Sequence, residues 1–507
     1  MNNEKHSPIR NIIIVGGGTA GWMSAAAFAN VFDPSQYSIK LIESSAISSV
    51  GVGEATIPPI RQFNRMLGID EDEFIRNTNG TFKLGIEFVN WGKIGDAYMH
   101  PFGAYGTKFG SLTFYNYWLK YYLQGKSQSI SDYSLSVQAA KSKKFMRPAK
   151  LPNSPLAEIT YAFHFDAGLY AQFLRNFAES RGVQRIDDIV DQVNIDPING
   201  QIRSLDMKSG EHHKGDLFID CTGFKALLIQ GALKTGFEDW SNYLLCDSAV
   251  TVATKNTETP APYTRATAHP VGWQWRIPLQ SRVGNGYVYS QSFISDDDAK
   301  QVLLDNIQGE TINDPRVIRF KTGIRKKVWH KNCISIGLSS GFLEPLESTS
   351  IHLIQTALAK LLAFFPTQSF DEELIDQYNA LMREEFENVR DFVILHYKLT
   401  EREDSDFWRY CKNMDIPVKL QHKMAMFKST GRLHRENNEL FDVISQFAVM
   451  FGQGLIPESY HPLADDVNDL EFDKGMNAIK EVITRSAEAM PTQEEFIKKH
   501  CEFKPSP

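Results

Sequence analysis

A glycine-rich turn, one lysine and one glutamate carry most of the chemistry that can be read from this 507-residue chain. Gly16, Gly18 and Gly21, within Gly16-Gly17-Gly18-Thr19-Ala20-Gly21-Trp22, give G-x-G-x-x-G. The first glycine permits a tight turn, the second lets a pyrophosphate approach the backbone, and the third packs a helix on a strand. Glu43 lies about 20 residues on, where an acid accepts from a ribose hydroxyl and favours FAD or NAD over NADP. Far along the chain stands Gly341-Phe342-Leu343-Glu344-Pro345-Leu346-Glu347-Ser348-Thr349-Ser350, followed by an apolar run from Ile351 to Phe365. Pro345 bars an early helix, and Ser348, Thr349 or Ser350 can serve as N-cap. The first turn then offers backbone N–H groups to an anion, with the Glu347 carboxylate beside it. A simple capped core helix would have the same composition, so both readings stand at this point. Lys83 falls among apolar neighbours in the alternating segment Thr81 to Phe88, as an exposed strand lysine also would.

These residues need elements to hold them. Asn11 to Val15 is a two-sided apolar run, typical of a buried parallel strand, and leads into the glycine turn and a helix from Met23 to Val31. Tyr37 to Ile42 reads as the next strand. Val50 to Pro59 combines small residues, an acid and two prolines in a rigid loop fit to lie along an extended cofactor. Tyr98 to Trp118 is dense in rings (Tyr98, Phe102, Tyr105, Phe109, Phe114, Tyr115, Tyr117, Trp118) with His100 among them; such density also suits a core, but the glycines between suggest loops around a flat ligand. Ser136 to Pro155 reads as a linker or mobile loop, being polar, basic and punctuated by proline. Strands are expected around Asn199-Gly200 as a hairpin, at Gly215 to Cys221, at Val271 to Pro278 and at Cys333 to Gly337. Beyond Glu372 the chain turns mainly helical, with one long periodic segment to Leu399.

Composition narrows the class. Hydrophobic residues make up 42% and charged residues 23%, ordinary for a globular protein. The net charge of -7 and the lack of a basic stripe argue against a nucleic-acid partner. No apolar run approaches the ~18 residues of a membrane span, and no signal peptide is visible. Five scattered cysteines without CxxC spacing fit a reducing, cytoplasmic setting; neither they nor the thirteen histidines suggest a metal site.

Taken together, the chain resembles the flavin-dependent halogenases of the tryptophan-halogenase-like family. The resemblance rests on the Gly16 to Trp22 motif, the Gly51 to Pro58 loop, Lys83 in its apolar strand, Trp273-x-Trp275-x-Ile277-Pro278, and Pro345 to Ser350. It implies an α/β (α+β) fold: a Rossmann-like FAD module of the p-hydroxybenzoate-hydroxylase type, a mixed sheet insertion, and a helical C-terminal module. The FAD module would cover residues 8–395 and the helical module, closing the substrate site, 396–507. FAD, working as FADH2, would be held by Gly16, Gly18, Thr19, Ala20, Gly21, Glu43, Ala55, Gly337 and Leu338. The resemblance makes Lys83 and Glu347 the catalytic pair, Ser348 and Thr349 the neighbours of a halide, and His100 and Phe102 the substrate-binding H-x-F.

The implied reaction uses FADH2 from a separate NAD(P)H-dependent flavin reductase, with oxygen and chloride or bromide, to make hypohalous acid. Lys83 would polarise this oxidant as an ammonium or carry the halogen as a haloamine, the latter requiring burial to lower its pKa. Glu347 would stabilise the ring cation and take its proton. A small aromatic substrate and, by analogy, a homodimer complete the expectation. Enzymes acting on free tryptophan carry an aromatic and acidic cluster near the C-terminus; here the region reads Val449-Met450-Phe451-Gly452-Gln453-Gly454, then Pro457 to Pro462. That departure favours an indole derivative or another electron-rich ring. The alternatives are an FAD-dependent aromatic hydroxylase, against which Lys83 and W-x-W-x-I-P argue, and a flavoprotein without activity.

Overall fold

The computed structural model describes residues 7–46, 53–107, 110–127, 129–436 and 438–504. The strand Asn11–Val15 is the centre of a six-stranded sheet ordered Trp329–His330, Cys333–Ser335, Leu217–Asp220, Asn11–Val15, Ser38–Glu43, Gln184–Asp187. All neighbours are parallel except the outermost pair, Trp329–His330 against Cys333–Ser335. Ile12, Ile13 and Ile14 are fully buried, as a strand covered on both faces requires. This is a mixed α/β fold with a Rossmann-like cofactor sheet.

A second, seven-stranded sheet runs Arg316–Arg319, Ser248–Lys255, Arg282–Tyr289, Trp273–Pro278, Thr264–Ala268, Gly85–Val89, Ala97–Pro101. A small antiparallel sheet lies beside it, with Ala162–Asp166 between Gly53–Ala55 and Thr81–Lys83. The segment expected as one strand from Thr81 to Phe88 is therefore two, Thr81–Lys83 and Gly85–Val89, on different sheets. Leu84 makes the step, its N–H bonding Pro262 O at 2.7 Å. Gly85 permits it, because a Cβ there would come within 2.5 Å of His100 O. The step puts Lys83 at the junction of the two sheets.

The C-terminal part is helical, led by the 27-residue helix Glu372–Lys398. Ile375, Tyr378, Met382, Phe386, Val389 and Phe392 are buried at helical spacing, and the last turns bury Val393 to Tyr397 without a polar face. At about 2–5 kcal/mol for each large core side chain cut to alanine, this seam is a major part of the packing. The helix runs unbroken through residue 395, and one apolar core joins it to the cofactor sheet. Among the described residues no helix is long and apolar enough to cross a membrane.

Two expectations fail. Ser136 to Pro155 is not a free linker: Leu135–Lys141 is a helix burying Val137, Ala139 and Ala140, and Phe145 stacks on Phe82 at 3.9 Å. The polar residues that suggested a loop share the segment with an apolar face that packs inward. The ring cluster after His100 is likewise mainly core. Tyr115, Tyr117 and Trp118 lie in the buried helix Phe114–Leu123, and Trp118 meets Phe447 and Phe451 edge-on. Phe109, and residues 50–52 of the expected cofactor loop, lie outside the described residues. The hairpin around Gly200 forms as expected, Val190–Ile195 pairing with Ile202–Met207.

Candidate active site

At the cofactor end, Gly16 has φ +111, and a Cβ there would come within 2.2 Å of Cys221 O. Around Gly18 a Cβ would meet nothing within 4 Å, so the helix Thr19–Val31 opens onto free space. Gly18 caps that helix without a side-chain bond, which leaves its first N–H groups for an anion. Glu43 crosses directly over Gly17, where any side chain would collide with its carboxylate. Its Oε1 takes Arg185 Nε at 2.5 Å. Gly337, at φ +76, sits so close to the same helix that a Cβ would lie 2.7 Å from the Ala20 methyl. Leu338 beside it is part-exposed, and Ala55 is buried in the strand Gly53–Ala55, opposite His164. An open helix start, a glycine cradle and a carboxylate at the strand end fit the pyrophosphate and ribose of FAD.

The second cluster is built on the tight turn Pro345–Glu347 and the helix Ser350–Ala363. Ser348 joins them in the left-handed region, at φ +59, an uncommon conformation for a residue with a side chain. Thr349 is the N-cap, and its hydroxyl makes no capping bond. The simple-cap reading therefore fails for this helix. The Ser348 hydroxyl instead accepts from Lys83 Nζ at 2.8 Å, and Thr56 O accepts from the same nitrogen at 3.0 Å. Lys83 is fully buried, and its Nζ stands 5.0 Å from the centre of the Phe102 ring. Burial drives its pKa down to about 7, against an opposing pull from Glu347.

Glu347 is also fully buried. His100 Nδ1 lies 3.0 and 3.1 Å from its two oxygens. Burial alone would raise this carboxyl; the imidazoles of His100 and His396 outweigh that and hold it down at about 2. His396 Nε2 stands 2.8 Å from Oε1, in an ion-pair contact that is not aligned as a hydrogen bond. The fold thus brings Lys83, Glu347, Ser348, His100 and Phe102 together from three distant segments. Thr349 is buried at the start of the helix that follows. Phe392 and Phe441, stacked at 3.8 Å, close the far side against His100.

His396 was not among the residues singled out in the sequence. Its signal was a histidine inside the all-apolar turns Phe392 to Tyr397. Its neighbour Tyr397 donates to Glu344 Oε2 at 2.6 Å, and Trp273 Nε1 donates to the same oxygen at 2.7 Å. Burial raises Glu344 to about 7, with both donors opposing. Two consecutive residues of one helix therefore grip two glutamates three apart in the turn, and the W-x-W strand shares one of these grips.

A family model described as tryptophan halogenase matches residues 11–469. A flavin-dependent halogenase from Xanthomonas campestris has the same fold at a TM-score of 0.95, 45% identical over 99% of this chain and 100% of its own. A second, from Brevundimonas sp. BAL3, is 43% identical at a TM-score of 0.93, covering 97% of this chain and 99% of its own. The tryptophan 7-halogenase RebH of Lentzea aerocolonigenes is 34% identical over 97% of this chain and 98% of its own.

Proposed function

The chain belongs to the tryptophan halogenase family of flavin-dependent enzymes, and on that premise we propose that it halogenates an electron-rich ring at Lys83 and Glu347. Enzymes of this class use FAD reduced by a separate flavin reductase, and an aromatic substrate. FAD would rest on Gly16, Gly18, Thr19, Ala20 and Gly21, with Glu43 at the ribose and Ala55, Gly337 and Leu338 alongside. When bound and reduced it supplies, with oxygen, the oxidising power that turns a halide into hypohalous acid. The halide, chloride or bromide, would lie near Ser348 and Thr349, where the helix start offers backbone donors.

The observation that carries this reading is the burial of Lys83 Nζ against Ser348, one residue from a buried Glu347. As an amine, Lys83 can take the halogen from hypohalous acid, with water leaving; as an ammonium, it can donate to the oxidant's oxygen. Its pKa near 7 makes both forms accessible at neutral pH. The ring carbon then accepts the halogen cation, from the haloamine as a proton returns to the lysine nitrogen or from hypohalous acid as water leaves, and the ring proton passes to a Glu347 oxygen. His100 and Phe102 would bear on the ring.

An indole derivative suits this site better than free tryptophan. Residues 449–454 contain no charged side chain to hold an ammonium or carboxylate, and Glu458, the acid that follows, is exposed. Gln453 donates to the Tyr98 hydroxyl at 3.1 Å. In this reading residues 8–395 bind the flavin and 396–507 close the substrate site, joined by the helix that carries His396. Five buried, unpaired thiols support a cytoplasmic setting. The test is an assay with FAD, a flavin reductase, NADH and either halide against indoles, phenols and tryptophan, read by mass spectrometry. Halogenated indoles in excess over halogenated tryptophan are expected; tryptophan as the best substrate would overturn the substrate assignment.

A further inference from the structure

His396 is fully buried among Phe88, Trp91 and Phe392. Its Nδ1 lies 2.8 Å from Phe392 O. A carbonyl only accepts, so Nδ1 carries a proton. The other nitrogen, Nε2, stands 2.8 Å from Glu347 Oε1. A bare imidazole lone pair against a carboxylate oxygen at that distance would be repulsive, whatever the angle. One of the two groups must therefore hold a second proton, and the carboxyl is held ionised. We propose that His396 is a positioning residue for the Lys83–Glu347 chemistry: it binds the proton that neutralises Glu347, fixes that carboxylate, and leaves Lys83 without a free counter-ion. This inference rests on the functional reading given above.

The surroundings support the charge accounting. Glu347 faces His100 and Tyr98 from the strand Ala97–Pro101, His396 from the helix Glu372–Lys398, and Lys83. Lys83 faces Glu347 and, from Ala162–Asp166, His164. His164 is held between Thr81 Oγ1 and Thr264 Oγ1 at 3.0 and 2.9 Å, and burial with Lys83 nearby keeps it neutral. No carboxylate bonds Lys83 Nζ among the described residues; its hydrogen bonds go to a carbonyl and a hydroxyl. Were the carboxylate left without its two imidazoles, Lys83 would be the remaining cation facing it, and the charged form of the amine would gain. With the carboxylate's charge spent on an imidazole, desolvation of Lys83 prevails.

The experiment is the pH profile of indole halogenation by the full enzyme and by His396→Asn, which preserves a donor toward Phe392 O but removes the cation. The limb assigned to Lys83, near pH 7 in the unaltered enzyme, is expected to move up by about one unit, a tenfold change in the amine fraction. His396→Ala should show the same direction. A limb that stays in place while the rate falls would reduce His396 to packing and overturn the proposal. A second measurement covers a variant that does not fold. Selective 15N-histidine labelling should show the ring that contacts Phe88 and Trp91 with both nitrogens protonated, becoming singly protonated in Glu347→Gln. Absence of that doubly protonated ring in the unaltered enzyme overturns the proposal even where halogenation is observed. Its presence in an enzyme that halogenates nothing would sustain the proton assignment and refute the functional reading instead.

Discussion

Lys83 Nζ donates a 2.8 Å hydrogen bond to Ser348 Oγ across 265 residues of sequence, and both groups are buried. The bond ties the small strand Thr81–Lys83 to the turn that carries Glu347. It leaves the glycine cradle untouched, since among the described residues Lys83 bonds Thr56 O and Ser348. Replacing Lys83 by Ala should therefore abolish halogenation, by about a thousandfold or more, with FAD affinity unchanged. Flavin fluorescence titration and product mass spectrometry measure the two quantities separately. A variant that still halogenates with normal selectivity would remove Lys83 from the mechanism.

The same lysine should weaken the fold at neutral pH. Its folded pKa of about 7 lies below the ordinary value of 10.5 because burial penalises the charge. Between those values the unfolded chain binds more protons than the native one, so stability rises with pH through that window. Below pH 7 both states are protonated and the full penalty applies. Lys83→Met should thus be more stable than the parent at pH 7, by about 2–4 kcal/mol after loss of the two hydrogen bonds. The advantage should shrink as pH approaches 10.5. Denaturant unfolding at several pH values gives the difference directly, and an advantage that grows with pH would reverse the sign of the argument.

Glu347→Gln keeps the shape of the side chain and removes its charge. The turn rate for halogenation should fall by about a hundredfold or more, since neither the ring cation nor its proton is then met by a carboxylate. FAD affinity should change little, because Glu347 contacts His100 and His396 rather than the glycine turn. Collapse of flavin binding or of folding in this variant would make Glu347 a structural residue of the turn.

Much of this was legible in the sequence because the information is local. A strand, three spaced glycines and a terminal acid specify the cofactor turn within one βαβ unit, and Pro345 sets where the next helix can begin. Lys83 and Glu347 became legible as a pair only through the family resemblance, since locally an exposed strand lysine and a helix cap look the same. His396 did not, since its partner comes from a turn some fifty residues away and nothing local pairs them. The step at Leu84 was invisible for a related reason: alternation continues through it, and only the close approach of His100 O to Gly85 reveals the change of sheet. Serines and threonine before Ile351 looked like caps, yet the left-handed Ser348 turns its hydroxyl to Lys83. At Ser136 to Pro155 lysines and serines masked a packed face, because a polar count says nothing about which side they occupy.

The grip of Tyr397 on Glu344 gives the last test. Two donors, Tyr397 OH and Trp273 Nε1, converge on Oε2, while Oε1 has no hydrogen-bond partner among the described residues. Burial raises this carboxyl to about 7 from 4.5, so the site stabilises the fold fully below pH 4.5 and loses that contribution as pH rises toward 7. Tyr397→Phe removes one donor to the ionised form and should raise the carboxyl further. The variant should therefore cost about 1–3 kcal/mol above pH 7, where the parent's Glu344 is charged, and less at pH 5. Because Glu344 and Glu347 share one short turn, halogenation should also slow, by about tenfold, without loss of FAD. Equal destabilisation at both pH values would mean that the tyrosine acts through packing against Trp91 and Trp408 rather than through the carboxyl.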